Sequence, residues 1–285
     1  MSRQAVRVVT DSTSDLRPEL AAELGITVVP LFVNFGEQRY RDGVDLTRER
    51  FYELLRTEHE LPTTTQPTAA MFDAAFREEL SVGGVVVGIF ISEKLSGTIN
   101  AARAAAGNIG LGRIELVDSL TATAGLGMQA IHAAELARDG AEIDDVLTAL
   151  HADRRAQHGY AALPDLSHAV RTGRIGKARA AIGTMLRIVP VLRLDRGEVE
   201  EEARVRTFER AQQTMIESTL RTIGDVERAR IVVMHSHAPD LAVSVRERLR
   251  SRLSAEPAML TIAEAGPTIA VHAGAGAVGI FSIAG

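Results

Sequence analysis

The sequence predicts an α/β protein: a parallel sheet with its connecting helices in the first half of the chain, then a second α/β layer with a mixed order of strands and helices. Two observations carry this. In the first half, short apolar runs that read as buried strands are followed by stretches of helical periodicity. Three of those runs empty into loops rich in hydroxyls: Thr10-Asp11-Ser12-Thr13-Ser14 after Val6–Val9, Ser92 to Thr98 after Val85–Ile91, and Asp118-Ser119-Leu120-Thr121 after Ile114–Val117. Near Ala156 the texture changes, and the strands and helices that follow no longer alternate regularly. The 285 residues leave room for one large or two ordinary domains. With 46% hydrophobic residues, no Trp and only 4% aromatics, aliphatic side chains must fill the core.

The same composition excludes several classes of function. A net charge of −5 argues against general nucleic-acid binding, which shows a basic face. Without cysteine there is neither a disulfide framework nor a thiolate metal site. No apolar run reaches the length of a membrane span, so no integral membrane segment is expected. Met1 to Thr10 leads straight into a strand-like run with no signal-peptide core, which makes a cytoplasmic location the expectation.

In chain order, Val6–Val9 reads as a strand and Pro18 to Leu24 as a short helix closed by Gly25. Ile26–Val33 reads as a second strand, Gly36-Glu37-Gln38 as a turn, and Thr47 as the cap of a helix carrying Phe51, Leu54 and Leu55. Met71, Phe72, Ala75, Phe76 and Leu80 share one helical face; Val85–Ile91 is a central parallel strand; Ile99, Ala102 and Ala106 continue as a helix. After Ile114–Val117, helices run from about Ala122 to Arg138 and from Ile143 to Arg155. Beyond that come a strand at Tyr160–Leu163, a helix from Pro164 to about Thr172, and a basic glycine loop at Gly173-Arg174-Ile175-Gly176-Lys177. A helix over Ala180–Ile188, a strand over Val189–Leu194, a hairpin turn at Arg196-Gly197 and a strand over Val199–Ala203 follow. The chain closes with a helix to Ile223, a strand at Ile231–Met234, a helix over Asp240–Leu253 and a strand at Met259–Ala263.

In an open parallel sheet the loops after the strands gather at the carboxyl edge, where ligands bind. The three hydroxyl loops therefore meet there. Pro62-Thr63-Thr64-Thr65-Gln66-Pro67 is expected to join them, with Pro67 in a first helical turn and the threonines at a helix start, where free N–H groups favour an anion. Ser96 also lies at a helix N-terminus. His272 is either a histidine satisfied inside the fold or one beside an acidic ligand or phosphoryl group. Arg174, Arg204 and Arg206 are either solvated or phosphate-holding arginines.

Several motifs are decoys. Gly274-Ala275-Gly276-Ala277-Val278-Gly279 matches a dinucleotide fingerprint literally, but no βα unit can follow it, and close backbone approach is its expected role. Gly173 to Lys177 lacks the spacing of a phosphate-binding P-loop, and Ser96 lacks the nucleophile elbow of hydrolases. His235-Ser236-His237 stands at a strand end, where a surface or capping role is expected of it more than a metal pair. No metal site is expected.

Taken together in register, Thr10 to Leu16, Asp42-Gly43 before Leu46-Thr47, Thr64-Thr65-Gln66-Pro67, Lys94 to Thr98, Asp118-Ser119, Gly173-Arg174-Ile175, Arg206-Thr207, and Gly266-Pro267 followed by His272 make the whole chain resemble the DegV family, fatty-acid-binding carriers that serve a bacterial fatty acid kinase. The resemblance implies two α/β domains, 1–156 with a parallel sheet covered by helices on both faces and 157–285 with a mixed sheet, holding a long-chain fatty acid between them. It implies that Thr64 and Ser96 hydrogen-bond the carboxylate, with Thr65, Gly97 and His272 close by, and that Arg174 and Arg206 face the kinase or the acyl phosphate. The carrier would need no cofactor and do no chemistry alone. Two departures stand out: Thr65 replaces a usual Ser, keeping the hydroxyl, and Gly274-Ala275-Gly276 replaces a usual Gly-Pro-Gly. Met71, Phe72, Ile182 and Met185 are candidates for the tunnel lining.

Two rival readings use the same residues. In the first, Ser96 is a nucleophile, His272 its base, and Asp11 or Asp118 the orienter, giving a hydrolase or acyltransferase. In the second, His272 relays a phosphoryl group.

Overall fold

The computed structural model describes residues 4–58, 60–110, 112–175 and 188–285. The helix expected over Ala180–Ile188 falls almost wholly outside them, as do Ile182 and Met185.

Strand β1 (Val6–Asp11) is buried except at Arg7, and α1 (Pro18–Glu23) starts on Pro18, whose missing N–H is not needed in a first turn. Next comes β2 (Ile26–Val29). The single strand expected from Ile26 to Val33 is broken at Pro30, which cannot donate to a ladder, and the chain turns into another sheet. There β3 (Phe32–Phe35) pairs with β4 (Gln38–Arg41) as a hairpin. Thr47 caps α2 (Arg48–Thr57) as expected, its hydroxyl accepting from the Arg50 amide at 3.2 Å. Then follow β5 (Thr63–Thr65), α3 (Ala69–Ser81), β6 (Val85–Phe90), α4 (Thr98–Ile109), β7 (Ile114–Asp118), α5 (Thr123–Arg138) and α6 (Ile143–Ala156).

The main sheet of this half has the order β2-β1-β6-β7 with every neighbour parallel, as the alternation of apolar runs and helices predicted. Helices cover both faces. Val8, Val87 and Ile89 pack with Leu126 and Ala130 of α5 and Leu150 of α6, while Val9, Val86 and Phe90 pack with Phe72 and Phe76 of α3 and Ile99 of α4. That packing corrects one expectation: Phe72 is fully buried between helix and sheet with Met71 beside it, and neither residue reaches the cavity described below.

The remainder of the chain forms β8 (Gln157–Ala162), α7 (Ser167–Arg171), β9 (Val189–Asp195), β10 (Glu198–Val205), α8 (Phe208–Thr222), β11 (Arg230–His235), α9 (Pro239–Arg250), β12 (Met259–Glu264), α10 (Pro267–Ala273) and β13 (Val278–Ile283). Their sheet has the order β10-β9-β8-β13-β11-β12 and is mixed: β11 and β12 are parallel and the other neighbours antiparallel. Arg196 and Gly197 take φ values of +47° and +83°, the left-handed pair that a two-residue hairpin needs.

Two helices join the sheets. α5 turns Leu126 and Ala130 to the parallel sheet and Ala124 and Met128 to Val232, Met234, Phe281 and Ile283 of the mixed sheet. It lies so close to the loop after β1 that a Cβ on Gly127 would stand 2.6 Å from the Ser14 carbonyl oxygen. α10 leaves the mixed sheet to pack Ala270 and Val271 against Val33 of β3 and Phe51 and Leu54 of α2. Among the described residues no helix is long and apolar enough to cross a membrane, and no group of three or more His, Asp or Glu is placed to hold a metal ion.

Candidate functional site

The loops at the carboxyl edge of the parallel sheet converge as that geometry requires. Thr13, Ile91, Leu95, Ser96, Gly97, Ala122 and Thr123 line one cavity of about 400 Å³. The mixed sheet supplies its opposite wall through Ala161, Leu192, Leu194, Val199 and Phe281, and α10 contributes Ile269, His272 and Ala273. The cavity therefore lies between the two sheets, with largely aliphatic walls, as a core poor in aromatics requires.

Thr64 arrives by a different route from the one expected. Thr63–Thr65 is a strand, not a helix start: Thr64 pairs with Val33 on the edge of the small sheet β4-β3-β5. The following helix is capped by Thr68, whose hydroxyl accepts from the Met71 amide, so Pro67 precedes the cap instead of occupying the first turn. The dipole argument thus does not apply to Thr64. It does apply to Ser96, which stands beside Gly97, the N-cap of α4. The Ser96 hydroxyl lies 2.8 Å from that of Thr98 and accepts from the Thr98 amide at 3.4 Å.

Gly97 explains how the two hydroxyl segments meet. A Cβ there would stand 2.2 Å from Oε1 of Gln66, so the bare Gly97 backbone lets the Gln66 side chain, just past the Thr63–Thr65 strand, lie directly against the Ser96 loop. Thr65, Gln66 and Gly97 all line the cavity. Gln66 is not among the site residues expected from the sequence. Its signal there is its place in the Thr64-Thr65-Gln66-Pro67 motif, since its approach to Gly97 depends on the tertiary fold.

His272 completes the polar side. Its Nε2 lies 3.0 Å from Oγ1 of Thr64 across 208 residues of sequence, and its Nδ1 is enclosed without a hydrogen-bond partner. Burial, followed by the charge of Arg174 and then His168, pushes the imidazole down to about 4. The ring is therefore neutral at physiological pH and carries one proton. Placing that proton on Nε2 leaves a lone pair, not an N–H, unpaired at Nδ1, which is the cheaper arrangement. His272 then donates to Thr64, and the Thr64 proton is free to be donated elsewhere.

The arginines separate. Arg174 is exposed, donates to the Thr172 carbonyl at 2.6 Å, and lines both the cavity and the adjoining cleft that holds Lys94 and Glu198. Lys94 pairs with Glu198 at 3.3 Å, and Ser92 donates to the Gly197 carbonyl at 3.0 Å, which fixes the β9–β10 hairpin against the Ser96 loop. Arg206 is exposed just past the far end of β10 and is not among the lining residues, while Arg204 pairs with Glu201 at 2.7 Å.

A nucleophilic triad is not assembled. Ser96 is bonded to Thr98 and His272 to Thr64. Asp11, pushed up to about 6 chiefly by burial, accepts from Thr13 and from the Ile91 amide; Asp118 accepts from the Leu120 amide. The histidines of His235-Ser236-His237 take the capping and surface roles expected of them. His235 accepts from the Ala238 amide at 3.3 Å before α9, and His237 stacks on Tyr52. Gly274 and Gly276 take positive φ where a Cβ would meet the His168 ring and Pro164 at 3.1 Å, the close approach expected of that glycine run.

Comparison with known proteins gives one consistent result. A family model described as "Uncharacterised protein, DegV family" matches residues 5–285. A DegV domain-containing protein of Deinococcus radiodurans is 36% identical over 281 residues, covering 97% of each chain. Among solved structures, a DegV family protein from Thermus thermophilus, described by its fatty acid binding, superposes with a TM-score of 0.92 at 33% identity, covering 98% of this chain and 99% of its own. DegV of Bacillus subtilis, described as a fatty acid binding protein, superposes with a TM-score of 0.89 at 29% identity, covering 99% of this chain and all of its own. The match in sequence, overall fold and extent has one meaning: this chain belongs to the DegV family.

Proposed function

We propose that the protein binds a long-chain fatty acid between two domains, 1–156 and 157–285, and presents its carboxylate to a partner fatty acid kinase. The observation that carries this reading is the composition of one cavity: aliphatic walls from both sheets, with Thr64, Ser96 and the α4 N-terminus gathered on one side. A tail burying its methylenes gains roughly 0.8 kcal/mol for each, on the order of 10 kcal/mol gross for about sixteen carbons before ordering costs. The carboxylate takes hydroxyl and amide donors, and the neutral His272 holds Thr64 in the donating orientation. A head group held by neutral donors keeps an oxygen free to attack a phosphoryl group supplied by the partner. In this reading the chain is a carrier with no activity of its own and no cofactor, and its kinase or acyl phosphate faces Arg174 and Arg206 from the surface.

Native mass spectrometry of freshly purified protein tests the ligand. A co-purified mass in the long-chain fatty acid range is expected, and a clean unliganded mass after gentle handling contradicts the reading. Incubation with kinase, ATP and fatty acid tests the role: acyl phosphate is expected on the wild type and much less on Ser96→Ala. Ester hydrolysis by the protein alone, abolished in Ser96→Ala, would instead establish the enzyme reading.

A further inference from the structure

Three stretches of the sequence pattern lie outside the lining of that cavity: the Asp15 end of the first loop, Asp42-Gly43, and Gly266-Pro267. The structure brings them to one point. We propose that Asp15 and Asp42 are positioning residues of the ligand site: from the loops after β1 and β4 they grip the start of α10 and so set where His272 meets Thr64. This rests on the fatty-acid reading of the cavity only for its effect on affinity, since the effect on His272 is present without ligand.

The contacts are specific and enclosed. Both carboxylates are buried. Asp15 Oδ1 accepts from the Gly266 amide at 2.9 Å, and its other oxygen accepts from the Thr123 hydroxyl at the start of α5. Asp42 Oδ2 accepts from the Thr268 amide at 3.3 Å and from the Ser12 hydroxyl at 3.0 Å. Ser12 in turn accepts from the amide of Leu31, a cavity residue. Arg48 closes the clamp, donating to the carbonyls of Glu264 at 3.2 Å and Asp15 at 3.3 Å. Three alternate residues, Glu264, Gly266 and Thr268, are thus held as the chain leaves the mixed sheet. His272 lies one turn beyond Thr268 on this helix and reaches across to Thr64.

Energetics favour a purpose beyond cohesion. Burial pushes Asp15 up to about 7 and also raises Asp42, with the two carboxylates repelling each other, so holding them there is costly. Apolar contacts alone, such as those of Ala270 and Val271 with Val33, would hold α10 down but would not fix its rotation and advance. Directional bonds to the Gly266 and Thr268 amides do. Gly266 itself has no room to spare: a Cβ on it would stand 3.0 Å from Asp15 Oδ1 and 3.5 Å from Asp42 Oδ1.

The test uses the full chain with ¹⁵N-labelled histidine. Asp42→Ala should weaken fatty-acid binding by about tenfold or more, the equivalent of one lost charged hydrogen bond. In ligand-free protein it should also move the ring-nitrogen resonances of His272 away from those of a hydrogen-bonded Nε2. Asp42→Asn, which keeps an acceptor oxygen for Thr268, should recover most of both. Gly266→Ala keeps every carboxylate and an ordinary backbone conformation (φ −71°), so it is the second variant should Asp42→Ala not fold, and it should show the same two effects in weaker form. A folded Asp42→Ala or Gly266→Ala protein with unchanged His272 resonances overturns the proposal, whatever its affinity. Wild-type protein that binds no fatty acid, while the His272 resonances still respond to Asp42→Ala, overturns the ligand assignment and leaves the clamp standing.

Discussion

Neutrality of His272 follows from where it sits, and its consequences are measurable. Its folded value of about 4 lies below the ordinary 6.5. As pH falls from 6.5 to 4, the unfolded chain takes up a proton that the folded chain refuses, so this residue subtracts stability across that window and nothing above it. Asp11 and Asp15, raised to about 6 and about 7, act in the opposite sense: their contribution is present below about 4 and lost as pH rises through those values. The whole-protein profile therefore mixes the two, and the difference between wild type and His272→Gln isolates the first. Urea unfolding at pH 7 and at pH 4.5 should show the variant gaining on the wild type by about 2 kcal/mol. A difference that does not change with pH would show that His272 is not buried neutral. Thr64 allows a second test at this scale. Thr64→Val keeps the shape and removes the hydroxyl, and should weaken fatty-acid binding by roughly tenfold or more in a titration, while Thr64→Ser stays close to wild type. Equal affinities for Val and Ser would remove Thr64 from the head-group site.

At the level of elements, what could be read from the sequence depended on length and period. The strands β1, β6 and β7 are apolar runs ending in hydroxyl loops, and both the strands and the place where their loops meet were legible. Thr63–Thr65 was not: three residues between two prolines give no period, and only the partner β3 makes them a strand. The seven-residue α10 and the strand β13 were hidden in a similar way, the second behind a glycine run that resembles a different motif. The β9–β10 hairpin was legible from Arg196-Gly197, but not the wall it forms. At Gly197 the backbone is left-handed, with φ +83°, and a Cβ would stand 2.2 Å from the Ser92 hydroxyl oxygen. Gly197→Ala should cost about 1–3 kcal/mol in urea unfolding and weaken ligand binding, because the hairpin loses its seat on the Ser92 loop. Gly25→Ala, also left-handed at φ +65° but with nothing within 4 Å of the added methyl, should cost only about 1 kcal/mol and leave binding intact. Equal binding in the two variants would show that the hairpin seat is irrelevant to the cavity.

For the whole molecule, the cavity is a property of two sheets facing each other, and no single stretch of sequence encodes it. Thr64, Ser96 and His272 could be picked out by their chemistry and by the family resemblance. Their meeting depends on α10 crossing from the mixed sheet to the small one, a contact spanning 208 residues. The lining was harder still: Met71 and Phe72 look suited to a tail but belong to the core between α3, α4 and the parallel sheet. Ala161 on β8 does line the cavity, and Ala161→Leu should shorten the space available. Its affinity for longer fatty acids should fall more than for shorter ones, with folding stability little changed; a uniform loss at every chain length would place the tail elsewhere. The most direct measurement is a crystal structure of the protein grown with a long-chain fatty acid. The expected map shows carboxylate oxygens within hydrogen-bond distance of Thr64 Oγ1 and Ser96 Oγ, and a tail running between Leu192, Leu194 and Ile269. Fatty-acid density in any other groove, with this cavity left to water, would contradict the account.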